Sequence, residues 1–123
     1  QGHDRRAMLA QLPAVLGPGE LSALQKHIQT IHTADPVLDY LQDLVAATRS
    51  GRWFVQGLSP RAAIAVVRAG QAQAFLSGRN YVAPDDIAAI LPQTIAHRLS
   101  PLHNAGRGAQ EQVRAMVEAT PLP

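Results

Sequence analysis

The residue best placed to do chemistry is Arg61, which follows Ser59 and Pro60. Serine caps helices and proline suits the first helical position, so Arg61 stands second in the helix those two open. There the unpaired N–H groups and the positive end of the helix dipole disfavour a cation by roughly 0.3 to 1 kcal/mol. Local sequence leaves two readings open. Arg61 is either a surface arginine paired with some carboxylate, or a guanidinium that shares an anion with the helix end, because an arginine fork grips phosphate bidentately. Arg68, seven residues later, falls on the same stripe.

Other chemistry has less support. The five histidines, His3, His27, His32, His97 and His103, include no pair four residues apart that would set two ligands on one helical face, so no metal site is expected. Asp85 and Asp86 follow Pro84 in a first helical turn, where carboxylates act as dipole partners and cap helpers rather than as an acid/base pair. The phosphate loop G-x-x-x-x-G-K-[ST] is missing, and the single lysine, Lys26, lies mid-helix. G-x-G-x-x-G and G-x-S-x-G are missing too. The chain alone is therefore not expected to be an enzyme.

A length of 123 residues allows one core, and 46% hydrophobic against 16% charged residues suits a folded domain rather than a disordered tail. With no cysteine, stability must come from packing. No apolar run approaches the roughly 18 to 20 residues a bilayer crossing needs, so no membrane insertion is expected. Gln1-Gly2-His3-Asp4-Arg5-Arg6 has no apolar stretch behind it and does not read as a signal peptide; lacking an initiator Met, it suggests a piece of something longer. Eleven cations against nine anions leave a charge of only +2, a weak field for binding nucleic acid.

Apolar residues recur at helical spacing, and Pro and Gly divide the chain into helix-length segments, so the expected fold is all-α: a compact bundle of about five to six helices with little or no sheet. A short helix is predicted over Asp4 to Leu12, followed by a Gly17-Pro18-Gly19 turn. From Glu20, the stripe of Leu21, Leu24, Ile28 and Ile31 describes a helix half sunk in a core. Asp35 is expected to cap the next helix, with Pro36 at its first position, Thr48 on the apolar face and Arg49 on the opposite one. Ser50 to Leu58 reads as a loop whose Trp53 tucks back. The helix opened by Ser59 and Pro60 should run to about Ser77, stop at Gly78 and, with little polar circumference, sit mid-bundle. Pro84 starts another helix, which Pro92 should interrupt or kink. A last helix covers about Ala109 to Ala119.

Several stretches in order resemble the lid of MoxR-family AAA+ ATPases, over about Asp4 to Leu99. They are Asp4-Arg5-Arg6, Leu24-Gln25, Asp35-Pro36 to Tyr40-Leu41, Leu44 to Arg49, Gly57-Leu58-Ser59-Pro60-Arg61-Ala62, Gly78-Arg79-Asn80-Tyr81-Val82-Ala83-Pro84-Asp85-Asp86-Ile87 and His97-Arg98-Leu99. The family commonly has Thr where Ala83 stands. The resemblance implies that Arg61 is the sensor 2 arginine, touching the terminal phosphates of ATP, with Ser59 and Pro60 forming the helix start that presents it. It further implies that residues 1 to 123 are one lid domain of a longer cytoplasmic chain. An ATP- and magnesium-binding core would precede Gln1, nucleotide would fix the lid angle, and hydrolysis would become motion within a ring. No ATP or magnesium is expected on this fragment alone. Implied partners are that core, neighbouring ring subunits and proteins with von Willebrand A domains, through chaperone-like assembly or maturation. Two rival expectations are a histone-like or DNA-binding module, opposed by Asp39, Asp43, Asp85 and Asp86 on its candidate faces, and a stand-alone protein interaction domain.

Overall fold

The computed structural model of the chain describes residues 17–123, so the predicted helix Asp4 to Leu12 and the Asp4-Arg5-Arg6 motif lie outside the described residues. Within them the order is α1 (Pro18–Gln29), α2 (Asp35–Thr48), α3 (Pro60–Leu76), α4 (Pro84–Ile95), a 3-10 turn (Ala96–Arg98) and α5 (Ala109–Ala119). Extended pairing among these residues is limited to two isolated bridges, His32 with Tyr81 and Phe54 with Pro101. The all-α bundle expected from periodicity is therefore the fold.

The helix starts follow proline more closely than acidic caps. Pro18, read as part of a turn, instead begins α1 behind Gly17. Ala34, not Asp35, is the cap residue of α2, and its side chain offers no oxygen; Asp35 and Pro36 are already helical. Leucine and isoleucine spacing also overstated how deeply α1 is buried. None of its residues is buried, Leu21 is 48% exposed, and Ile31 reaches the core only beyond the helix end. What ties that end down is polar: buried Gln71 on α3 donates from Nε2 to the carbonyls of Gln29 and Ile31.

The mid-bundle position belongs to α4, whose Ile87, Leu91 and Ile95 are fully buried against α2, α3 and α5, and not to α3 as its apolar composition suggested. Two large apolar residues of α3, Ile64 and Leu76, remain 57% and 80% exposed. Composition cannot distinguish a helix surrounded by protein from one with an apolar edge left open. α3 and α4 approach closely at Gly70, where a Cβ would lie 2.7 Å from Ile87 Cδ1. Pro92 does not interrupt α4, which continues to Ile95 before tightening into the 3-10 turn. Gly78, at φ 77°, follows the end of α3 in the left-handed conformation expected of it.

Beyond Gly78, Arg79 and Asp86 form a compact polar joint. The guanidinium donates to both carboxylate oxygens of Asp86 at 2.7 and 2.6 Å, and Asp86 Oδ2 accepts from the Ala83 N–H at 2.7 Å. Asp86 thus helps cap α4 as expected, and it also anchors the turn that enters that helix. The Ser50 to Leu58 loop folds back as predicted: Phe54 is buried, Trp53 packs against the core, and Gln112 Nε2 donates to the Trp53 carbonyl.

Candidate functional site

Arg61 reaches its position through a chain of short-range constraints. Ser59 Oγ accepts from the Ala62 N–H at 3.2 Å, and Ser59 keeps extended backbone angles, as a cap residue must. Pro60 occupies the first turn without an N–H to satisfy. The Ala63 N–H bonds the Ser59 carbonyl, so Arg61 keeps the one first-turn N–H with no protein partner among the described residues. The end of α3 therefore presents an anion with one guanidinium and one backbone donor of the same residue, a smaller set than an uncapped helix terminus would offer.

The guanidinium itself is available. Arg61 is exposed, the first turn of α3 contains no acidic residue, and Arg61 makes no hydrogen bond or ion pair among the described residues. Pairing with a local carboxylate, the bland alternative, does not occur among them. Arg68 is likewise exposed and unpaired there.

The backbone before Arg61 is held from α2. Thr48 Oγ1 accepts from the Leu58 N–H at 3.1 Å while donating to the Val45 carbonyl. Arg49 donates from Nε and Nη2 to the Leu58 carbonyl at 3.1 and 2.7 Å. Both polar groups of the Leu58 peptide are thus fixed by the last turn of α2, and the Leu58 side chain and Ala62 are buried on either side of the cap. Arg49 was expected on the solvent face; its head instead bonds a backbone nine residues downstream, because the loop returns to the end of the helix it left. The only sequence clue was Gly57 before Leu58-Ser59-Pro60-Arg61.

Gly57 is required by that clamp. A Cβ there would sit 2.0 Å from Arg49 Cγ and 3.0 Å from Arg49 Cα. Gly57→Ala should therefore displace the arginine stem or the loop at a cost of about 1 to 3 kcal/mol. The melting temperature should fall by about 5 to 10 °C in calorimetry; an unchanged value would show that the loop adapts freely.

Asp85 and Asp86 do not join this site: Asp85 is exposed at the start of α4 and Asp86 is committed to Arg79. Among the described residues no group of three or more His, Asp or Glu side chains is arranged to hold a metal ion, and no helix is long and apolar enough to cross a membrane.

The family described as the AAA lid domain matches residues 46–119, which include the α2 clamp, the Ser59 cap and Arg61. An uncharacterized Bacillus subtilis protein, YeaC, is 34% identical over 116 residues, covering 91% of this chain and 36% of its own length. The chaperone MoxR1 of Mycobacterium tuberculosis is 31% identical over 98 residues, covering 72% of this chain and 26% of its own length. The chain thus spans about a third or less of these curated relatives. A crystal structure of a provisionally assigned ATPase from Cytophaga hutchinsonii superposes with a TM-score of 0.80 over 97% of this chain and 41% of that one, and at 21% identity it speaks for the fold.

Proposed function

Because the chain belongs to the AAA lid domain family, and with its MoxR-named relatives is the lid of a MoxR-type AAA+ ATPase, we propose that Arg61 is its sensor 2 arginine, contacting the terminal phosphates of ATP held by a core domain of the same polypeptide. The observation that carries this reading is the exposed, unpaired guanidinium in the second position of a capped helix whose first turn has no acid. A cation left uncompensated beside a positive helix end has a physical reason to be there if an anion arrives between them. Arg61 would grip phosphate through its fork and its own N–H, while Ser59, Pro60 and the clamped Leu58 keep the helix start rigid.

The core, placed before Gln1, would supply the phosphate loop and the magnesium ligands, and the bound nucleotide supplies the hydrolysable bond. The lid's task is mechanical. Since α3 is rigidly joined to α4 and the rest of the bundle, any angle imposed on Arg61 is imposed on the whole domain. In a cytoplasmic ring of subunits, that motion would drive chaperone-like maturation or assembly of client proteins, with von Willebrand A domain proteins as the proposed client class. The name of the Mycobacterium relative supports a chaperone role, and nothing among the described residues favours nucleic acid.

A distance measurement tests the coupling. This chain has no cysteine, so a cysteine at exposed Glu118 on α5 can carry a single dye in the lid, with a second dye on the core of the full-length protein. A non-hydrolysable ATP analogue should change energy transfer in the unaltered protein and leave it unchanged in Arg61→Ala. An equal response in both would remove Arg61 from the coupling.

A further inference from the structure

Arg49 closes α2, where carbonyl dipoles favour a cation, yet it forms no ion pair among the described residues. Its guanidinium commits two N–H groups to one neutral acceptor instead: Nε and Nη2 both donate to the Leu58 carbonyl, at 3.1 and 2.7 Å. That carbonyl lies outside the α3 ladder, whose first bond runs from the Ala63 N–H to the Ser59 carbonyl. Arg49 therefore adds nothing to the hydrogen bonding of α3. What it fixes is the plane of the Leu58–Ser59 peptide, because two donors of a rigid fork converge on one oxygen. Thr48 Oγ1 holds the N–H of the peptide before it. Two successive peptides entering α3 are thus tied to the last turn of α2.

The entry to α3 bears directly on Arg61, which stands three residues beyond Leu58. The Ser59 cap is internal to this turn and ties it to no other helix. The close approach of α3 to α4 at Gly70 lies nine residues further on. Helix ends fray, so the first turn depends on the chain that enters it. Arg49 also shares the wall of the groove between α2 and α3 with Ala63 and Ile64, and so borders the turn that carries Arg61. An arginine guanidinium lies about 6 to 7 Å from its own Cα, so a tilt of about 10° at the helix start moves the fork by about 1 Å, enough to cost up to about a hundredfold in rate.

We propose that Arg49 is a positioning residue for nucleotide turnover, holding the entry to α3 so that Arg61 meets the terminal phosphates in one orientation. This rests on the sensor 2 reading of Arg61. It extends that reading to a cation on α2 that acts through the backbone of Leu58 and not on phosphate.

A double-variant cycle in the full-length protein tests this. Arg49→Ala should lower kcat about three- to tenfold, and Arg49→Lys, which keeps the charge and a donor but not the fork, should recover part of that loss. In an Arg61→Ala background, Arg49→Ala should change kcat by less than about twofold, because the group it positions is gone. The dye pair between lid and core gives a readout apart from hydrolysis: its response to a non-hydrolysable ATP analogue should weaken in Arg49→Ala and return in part in Arg49→Lys. Melting curves establish that each variant is folded at the assay temperature, and Arg49→Lys carries the same cycle if Arg49→Ala is not. If Arg61→Ala slows turnover and the Arg49 variants do not, or if the two losses multiply, Arg49 does not act through Arg61; the proposal is then overturned while the sensor reading stands. If Arg61→Ala itself leaves turnover unchanged, the sensor reading falls and this proposal with it.

Discussion

Arg61→Ala in the full-length protein should slow ATP turnover by about ten- to a hundredfold while leaving the lid folded. A hydrogen bond to a charged group is worth about 1.5 to 3 kcal/mol, and each 1.4 kcal/mol is a factor of ten, which sets that range. The effect should stay below the roughly 10³ to 10⁵ assigned to arginine fingers, because a lid arginine at the terminal phosphates shares its work with the groups of the core. Arg61→Lys should recover part of the rate, since it restores the charge without the bidentate fork. In this chain alone, Arg61→Ala breaks no hydrogen bond or ion pair among the described residues and removes a cation from a positive helix end, so its melting temperature should hold or rise slightly. Steady-state hydrolysis and calorimetry decide the matter together: unchanged turnover removes Arg61 from the mechanism, and a large fall in melting temperature makes it a structural residue.

Asp86→Ala should produce the largest loss of stability, about 3 kcal/mol, or about 10 °C in melting temperature. It removes two short bonds to Arg79 and one to the Ala83 N–H from a side chain that is 4% exposed. The cost falls at the low end for a broken buried pair because Arg79 keeps access to water. The hydrogen bond from Arg79, helped by the Ala83 N–H and opposed by burial, holds the Asp86 carboxyl below the usual carboxylate range. A depressed folded value means that the stabilisation is complete above about pH 4 and is lost as pH falls through the folded value. Urea unfolding against pH should therefore show a steeper acid limb for the unaltered chain than for Asp86→Asn. Parallel limbs would show that the carboxylate titrates alike in both states.

The two variants sample different parts of the molecule. Arg61 sits at an end where the fold leaves a charge uncommitted, and Asp86 sits where the fold commits one completely. Both are charged residues in a first helical turn, where the dipole favours the aspartate and disfavours the arginine, but that preference did not show which charge the fold would commit. What did is whether an opposite charge is delivered to the same place, by Arg79 seven residues before Asp86 and by nothing among the described residues for Arg61.

Sequence by itself determined the features that are settled within about four residues. Ser59 capping α3, Pro60 opening it, Gly78 turning left-handed after it and the bounds of the last helix all follow from local backbone donors, fixed φ angles and hydrophobic spacing. The all-α class and the resemblance that singled out Arg61 were legible for the same reason. Tertiary structure alone decided that Thr48 and Arg49 clamp Leu58, that Gly57 must be bare to let the Arg49 stem pass, that α4 rather than the more apolar α3 lies at the centre, and that α1 leaves Leu21 exposed and Leu24 and Ile28 only half-buried. These depend on which surfaces meet after the chain has turned back on itself, and a periodic pattern records which side of a helix is apolar without recording what arrives to cover it.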